Sequence, residues 1–212
     1  MNYKEIREKA SIACMRYSGI LALITLIYTL ISGALSIQIE TDELISSLLL
    51  STLPAIGLFV TGPLTYGLIN VIVINYKGDK PKVSDLFRGF KYFWKLFVLN
   101  LLITIYTFLW SLLFIIPGII KGISYSRAFY IFYENPEYSA KECIERSKNM
   151  MDGHKGHFFV LMLSYIGWLI LCVLTLGILT LWVNPKIETA DYIFYGLIKG
   201  EKVKQITDLE NV

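Results

Sequence analysis

The sequence predicts an all-α fold, a polytopic helical membrane protein with six transmembrane helices in three hairpins, amphipathic lead-in helices and both termini cytoplasmic. Three observations point there. The 212 residues are 55% hydrophobic and 17% charged, with a mean hydropathy of +0.55, more apolar than a soluble domain of this length. Four charge-free runs, 19–37, 44–76, 96–120 and 158–185, reach or exceed the roughly 18 to 20 residues that cross a bilayer as helix. Finally, landmarks recur in order: P-x-x-S at 81–84 and 136–139, GFK at 89–91 and GHK at 153–155, AFYIFY at 128–133 and ADYIFY at 190–195. Such self-similarity argues for a duplicated unit of lead-in, apolar helix, tight turn and more polar helix. Short segments of alternating polarity are missing, which excludes a transmembrane barrel.

Taken from the N-terminus, segment 2–17 places Tyr3, Ile6, Ala10, Ala13, Cys14 and Tyr17 at helical spacing with Lys4, Arg7, Lys9 and Arg16 between them. That is an interfacial helix. The apolar run behind it is longer than a signal-peptide core, and Ser32-Gly33-Ala34 only weakly imitates a cleavage site, so the run reads as a retained helix. The first hairpin is then about 18–75. Segment 83–95 repeats the interfacial pattern with Phe87, Phe90, Tyr92, Phe93 and Trp94 at headgroup depth, and leads into a hairpin over about 93–133. Segment 139–152 starts on a capping box, Ser139 with Glu142, turns Cys143, Ile144, Ser147 and Met150/Met151 one way, and leads into a hairpin over about 157–198. The whole of 1–212 is expected to form a single membrane domain, without a separate soluble unit.

Basic residues test this topology, because they stay cytoplasmic. Segments 1–18, 77–95, 134–157 and 199–212 carry four, six, four and three Lys or Arg, all on one side of the six-helix arrangement, and the opposite turns carry none. A four-helix alternative puts six basic residues outside, from Lys121 to Lys155.

Three basic residues fall inside predicted spans. Lys121 and Arg127 lie in the fourth helix and Lys186 in the sixth, beside Glu188 and Asp191. Charge at membrane depth is costly and seeks a partner or a wet cavity. With Tyr125, and with Asn70 in the second helix, these residues form a candidate intramembrane polar cluster. Each even-numbered helix also carries predicted breakers near polar groups: Pro63, Pro117 with Gly118, and Pro185. One reading is a polar cavity that handles a small solute, lipid or peptide, as discontinuous helices do in transporters. The plainer reading is close packing at Pro and Gly, with the charges reaching water at the interface.

The remaining signals are weaker. The cysteines Cys14, Cys143 and Cys172 suggest neither a disulfide framework nor a zinc ribbon. His154 and His157 flank Lys155 near Asp152, but no third ligand stands at a compelling spacing, so neither a metal nor any other cofactor is expected. In the repeat, Gly153 and Lys155 match Gly89 and Lys91 and the histidines match aromatics, which makes the glycine bend and the cation the interfacial motif. Motifs of hydrolases, zinc proteases and intramembrane carboxylate pairs are missing, so no enzyme is expected. Dispersed positive charge excludes nucleic acid. The expected partners are the bilayer, with anionic lipid at the cytoplasmic face, and another membrane protein or a second copy at the glycine positions Gly57, Gly62, Gly67, Gly118 and Gly122.

The IPGI turn at 116–119, Tyr125, the P-x-x-S start at 136–139, Ser147, Met151, Gly153, Lys155 and the IGW stretch at 166–168, with GPLTYG and DLFRGF upstream, resemble the bacterial integral membrane family catalogued as domain of unknown function 975. The resemblance runs from about residue 60. It departs at Pro185, which Lys186 follows here where the family often has tyrosine. It implies a multi-pass membrane protein of the bacterial cell membrane and no known activity. Two functions therefore stay open, the cavity just described and an accessory, assembly or immunity protein that binds another membrane component.

Overall fold

The computed structural model describes residues 2–34 and 53–200. The predicted loop at 38–47 and the tail after Gly200 lie outside the described residues. Ten α-helices and one 3-10 helix are seen among the described residues. Helix α1 (Tyr3–Met15) starts on the side chain of Asn2, which accepts from the Glu5 amide. It buries Ile6, Ala10, Ala13 and Cys14, the stripe expected from spacing. Lys9 is buried with them, 2.7 Å from the Glu5 carboxylate one turn back. After a 97° bend, α2 (Ser18–Ala34) runs beside α3 (Leu53–Lys77).

The second lead-in is not an amphipathic α-helix. It is a 3-10 helix (Val83–Tyr92) folded along α3. Two glycines make this approach possible: a Cβ on Gly67 would sit on the Leu86 carbonyl, and one on Gly89 would sit on the Pro63 carbonyl. Tight backbone contact fixes the segment here, while Phe87, Phe90 and Trp94 stay exposed as expected.

Helix α4 (Phe93–Leu113) continues from it and stops at Phe114, whose backbone is extended. Helix α5 (Ile115–Tyr125) doubles back along α4, with Gly118 against Ser111, Lys121 over the Trp110 ring and Tyr125 beside Tyr106. Helices α6 (Ala128–Glu134) and α7 (Ala140–Met150) follow. Ser139 caps α7 by accepting from the Glu142 amide, but Glu142 turns its carboxylate to Arg146, so only half of the predicted capping box forms. Helices α8 (Lys155–Leu163) and α9 (Ile166–Leu174) lead to a turn at Leu176 and Gly177, both at positive φ, and then to α10 (Thr180–Lys199).

Three stretches are long and apolar enough to cross a membrane: Gly57–Lys77, Val83–Leu113 and Lys155–Leu174. The bent pair of α1 and α2 makes a fourth if counted as one span. The predicted fourth span is cut at Ser126-Arg127 into helices of 11 and 7 residues, and the predicted sixth carries Lys186, Glu188 and Asp191. Large apolar side chains crowd the far ends of these helices, with Phe114 73% and Leu176 94% exposed. Contiguous apolar surface of this kind belongs against lipid or a partner.

Candidate functional site

Burial of Arg127 organises the interior. Helix α5 ends when the Ser126 hydroxyl donates to the Ile123 carbonyl, and α6 starts two residues on. Ser147 of α7 bridges this break: its hydroxyl accepts from the Arg127 amide at 3.1 Å and donates to the Ser124 carbonyl at 2.8 Å. Two backbone groups left over at the break, the Arg127 amide and the Ser124 carbonyl, are thereby paired. The Arg127 side chain, 1% exposed, then reaches α10. One Nη lies 2.6 Å from Asp191 Oδ1, the other donates to the Asp191 carbonyl at 3.1 Å, and Nε donates to Ser126 at 3.2 Å. Tyr130 donates to the second Asp191 oxygen at 3.2 Å. Rings of Phe158, Tyr130 and Phe194 surround the guanidinium at 4.5, 5.2 and 5.9 Å. The two matched hexapeptides meet here, with Tyr130 stacked on Tyr195 and Tyr192.

Of the rest of the predicted cluster, Glu188 lies close to the pair and the other members are dispersed. Lys121 lies 4.5 Å from the centre of the Trp110 ring and Lys186 5.9 Å from that of Trp168. Asn70 donates to the Asp85 carbonyl and accepts from Tyr133. Tyr125 is buried beside Tyr106. Glu188 is half-buried on the Asp191 face of α10.

The predicted breaks also fall elsewhere. Helix α3 runs through Pro63 and α10 through Pro185. Threonine hydroxyls bond backbone carbonyls beside both prolines, Thr61 to Gly57 and Thr65 to Thr61 in α3, Thr189 to Pro185 in α10. Pro117 sits in the first turn of α5, where an amide is not needed for the helix, and the Gly118 amide donates to the Phe114 carbonyl at 3.2 Å. Of the interfacial motif, Gly153 takes a φ of 76° ahead of α8 and Lys155 lies 3.5 Å from Asp152, whereas Gly89 serves close approach and Lys91 lies over the Tyr92 ring. His157 pairs with the Tyr3 hydroxyl at 2.8 Å.

Two cavities open along the seam between α1 and α10. One, of about 280 Å³, is lined by Lys4, Arg7 and Glu8 of α1, Tyr165 and Trp168, and Lys186. The other, of about 210 Å³, is lined by Met15, Leu21, Leu181, Trp182, Pro185 and again Lys186. Cys14 bonded to Thr189 at 3.3 Å, and Asn75 donating to the Ala13 carbonyl at 2.9 Å, hold the end of α1 in place.

The family model described as "Protein of unknown function (DUF975)" matches residues 1–124 and 112–202. The chain belongs to the DUF975 family. No curated protein and no solved structure matches it.

In this DUF975 chain the match includes α1, upstream of the motifs that carried the resemblance. Arg127 with Asp191 is a buried ion pair in which each guanidinium nitrogen has an acceptor, which suits it to joining α6 and α10. The seam has unspent cations beside an apolar wall, which suits it to holding an amphiphilic ligand. Of its residues, the sequence singled out Lys186 as a cation within a predicted span and assigned Lys4 and Arg7 to the bilayer surface. Trp168 stood out only as the end of the IGW stretch, and nothing local distinguishes Tyr165 from other interfacial aromatics.

Proposed function

We propose that this protein binds an amphiphile, a membrane lipid or an apolar peptide, in the seam between α1 and α10, and that it acts by binding rather than catalysis. It does so as a six-span protein of the bacterial cell membrane with both termini in the cytoplasm, an orientation supported by the one-sided distribution of Lys and Arg. The observation that carries the reading is the pair of cavities that share Lys186, one setting Lys4 and Arg7 beside Tyr165, Trp168 and Val183 and the other lined mostly by apolar side chains. A headgroup and its tail need that juxtaposition, and a small polar solute does not. The large exposed apolar surface of α4, α5 and α9 supports a setting in lipid, where such ligands are abundant.

Filling the apolar cavity tests this. The double variant Met15→Trp/Leu181→Trp should lower the lipid that stays with the purified chain, read by native mass spectrometry, to less than about half, with the melting temperature unchanged. Leu163→Trp, on an exposed face, should retain the wild-type amount. Equal retention in all three proteins would remove the proposal.

A further inference from the structure

The wider cavity has the composition of an anion site. Lys4, Arg7 and Lys186 bring three cations to its lining against the single carboxylate of Glu8. Glu8 is only loosely engaged, 4.0 Å from Lys4 with both side chains mostly exposed. Arg7 donates one Nη to the Ser164 carbonyl at 2.9 Å, which fixes the guanidinium against α8 and leaves its other N–H groups without an acceptor among the described residues. Lys186 meets the Trp168 ring and no carboxylate among the described residues. An independent feature points the same way. Tyr165, 4% exposed, contributes to the lining of this cavity, and its hydroxyl, buried just behind that lining, has no hydrogen-bond partner among the described residues. Buried hydroxyls are rarely left unpaired, and a tyrosine hydroxyl can donate.

We propose that this cavity binds a phosphate group, carried by an anionic glycerophospholipid or free in solution. Arg7 and Lys186 supply charge-assisted hydrogen bonds, Lys4 adds charge from the exposed end of α1, and Tyr165 gives a neutral donor that orients one phosphate oxygen. The inference rests on the reading that the seam takes an amphiphile and names its headgroup: past Lys186, the apolar cavity would receive an acyl chain.

The test uses the full delipidated chain in maltoside micelles, titrated with three probes: dioctanoyl phosphatidylglycerol, dioctanoylglycerol and inorganic phosphate. Phosphatidylglycerol should bind at least about tenfold more tightly than the phosphate-free diacylglycerol, a difference of about 1.4 kcal/mol. Tyr165→Phe should cost about fivefold in phosphatidylglycerol affinity, leave diacylglycerol binding unchanged and keep the melting temperature, which a purely structural hydroxyl would not do. Arg7→Gln/Lys186→Gln should abolish the preference. Phosphatidylglycerol held no more tightly than inorganic phosphate, with the same variants weakening both, would uphold the phosphate site and remove the amphiphile reading. Equal binding of the two lipids, both weakened by Met15→Trp/Leu181→Trp, would uphold the amphiphile reading and overturn the phosphate site. Wild-type phosphatidylglycerol affinity in both Tyr165→Phe and Arg7→Gln/Lys186→Gln would also overturn it, as would no binding of phosphatidylglycerol or phosphate.

Discussion

Removing the charge of Asp191 should destabilise the protein while leaving its shape intact. In Asp191→Asn the guanidinium of Arg127, 1% exposed, loses a carboxylate at 2.6 Å but keeps its bond to the residue-191 carbonyl, its bond to Ser126 and three aromatic faces. Stripping one partner from a buried pair costs about 3 to 5 kcal/mol. The rings offset part of that, at roughly 0.5 to 2 kcal/mol for a cation–π contact, so about 2 to 3 kcal/mol of lost stability is expected. Arg127→Met should cost a similar amount, because it leaves the carboxylate with only the Tyr130 hydroxyl. The double variant Arg127→Met/Asp191→Asn removes both charges and should be about 2 kcal/mol more stable than the sum of the single losses predicts, the signature of direct coupling. For a chain of this size, about 1 kcal/mol moves the midpoint by roughly 2 to 4 °C, so each single variant should melt on the order of 4 to 12 °C lower. Unfolding by dodecyl sulfate in mixed micelles measures all four proteins. Asp191→Asn within about 0.5 kcal/mol of wild type, or strict additivity in the double variant, would refute a pair that joins α6 to α10.

Two other outcomes follow. Gly67→Ala and Gly89→Ala each drive a methyl group into a backbone carbonyl of the opposing segment, so each should cost about 1 to 3 kcal/mol by overpacking, whereas Gly19→Ala, with nothing nearby, should not destabilise; equal melting of all three would mean that the 3-10 helix does not dock on α3 as described. Glu145→Cys places a thiol on the exposed face of α7 and should react with an impermeant maleimide only when the cytoplasmic side is open, while native Cys143 beside it stays silent. Burial pushes the Cys143 thiol up to about 11 from 9.0, with the nearby Glu142 charge adding to the rise, so at pH 8 it carries about a hundredfold less thiolate than a free cysteine. The extra protonation favours the folded state below pH 9 and is lost as pH rises toward 11. Labelling of Glu145→Cys from outside intact cells would overturn the six-span topology.

Local patterns in the sequence told most about the elements. The buried stripe of α1, the Ser139 cap and the one-sided face of α7 follow from spacing within a dozen residues, and all three are seen in the structure. The break between α5 and α6 was not legible, because it depends on Ser147 reaching back across about twenty residues to bond Arg127 and Ser124. Nor was the docking of α1 on α10. An apolar stripe between basic residues suits a lipid surface as well as a protein one, and what decides the matter is Thr189 and Asn75, far away in the chain. The candidate cluster comes together only in part, at Arg127, Asp191 and Glu188, for a reason that was available beforehand. Lys186 and Asp191 are five residues apart, about 140° around an α-helix at roughly 100° per residue, so they cannot face one cavity. Asp191 and Glu188, three apart, share a face.

That geometry explains how one helix can serve two purposes. The Asp191 face of α10 is held by Arg127, three rings and the Tyr130 hydroxyl, with the Glu188 carboxylate close to the pair. The Lys186 face meets α1 through Thr189 and Cys14, then parts from it where the two cavities lie. A ligand seat between two helices needs one of them immobile, since a shift of even 1 Å at the wall spoils hydrogen bonds to a headgroup. The buried ion pair provides that immobility on the side away from the seam, where it competes with none of the seam's cations. Charge placed within predicted spans is thus divided by helix face, with Arg127 and Asp191 committed to each other and Lys186 left to the seam.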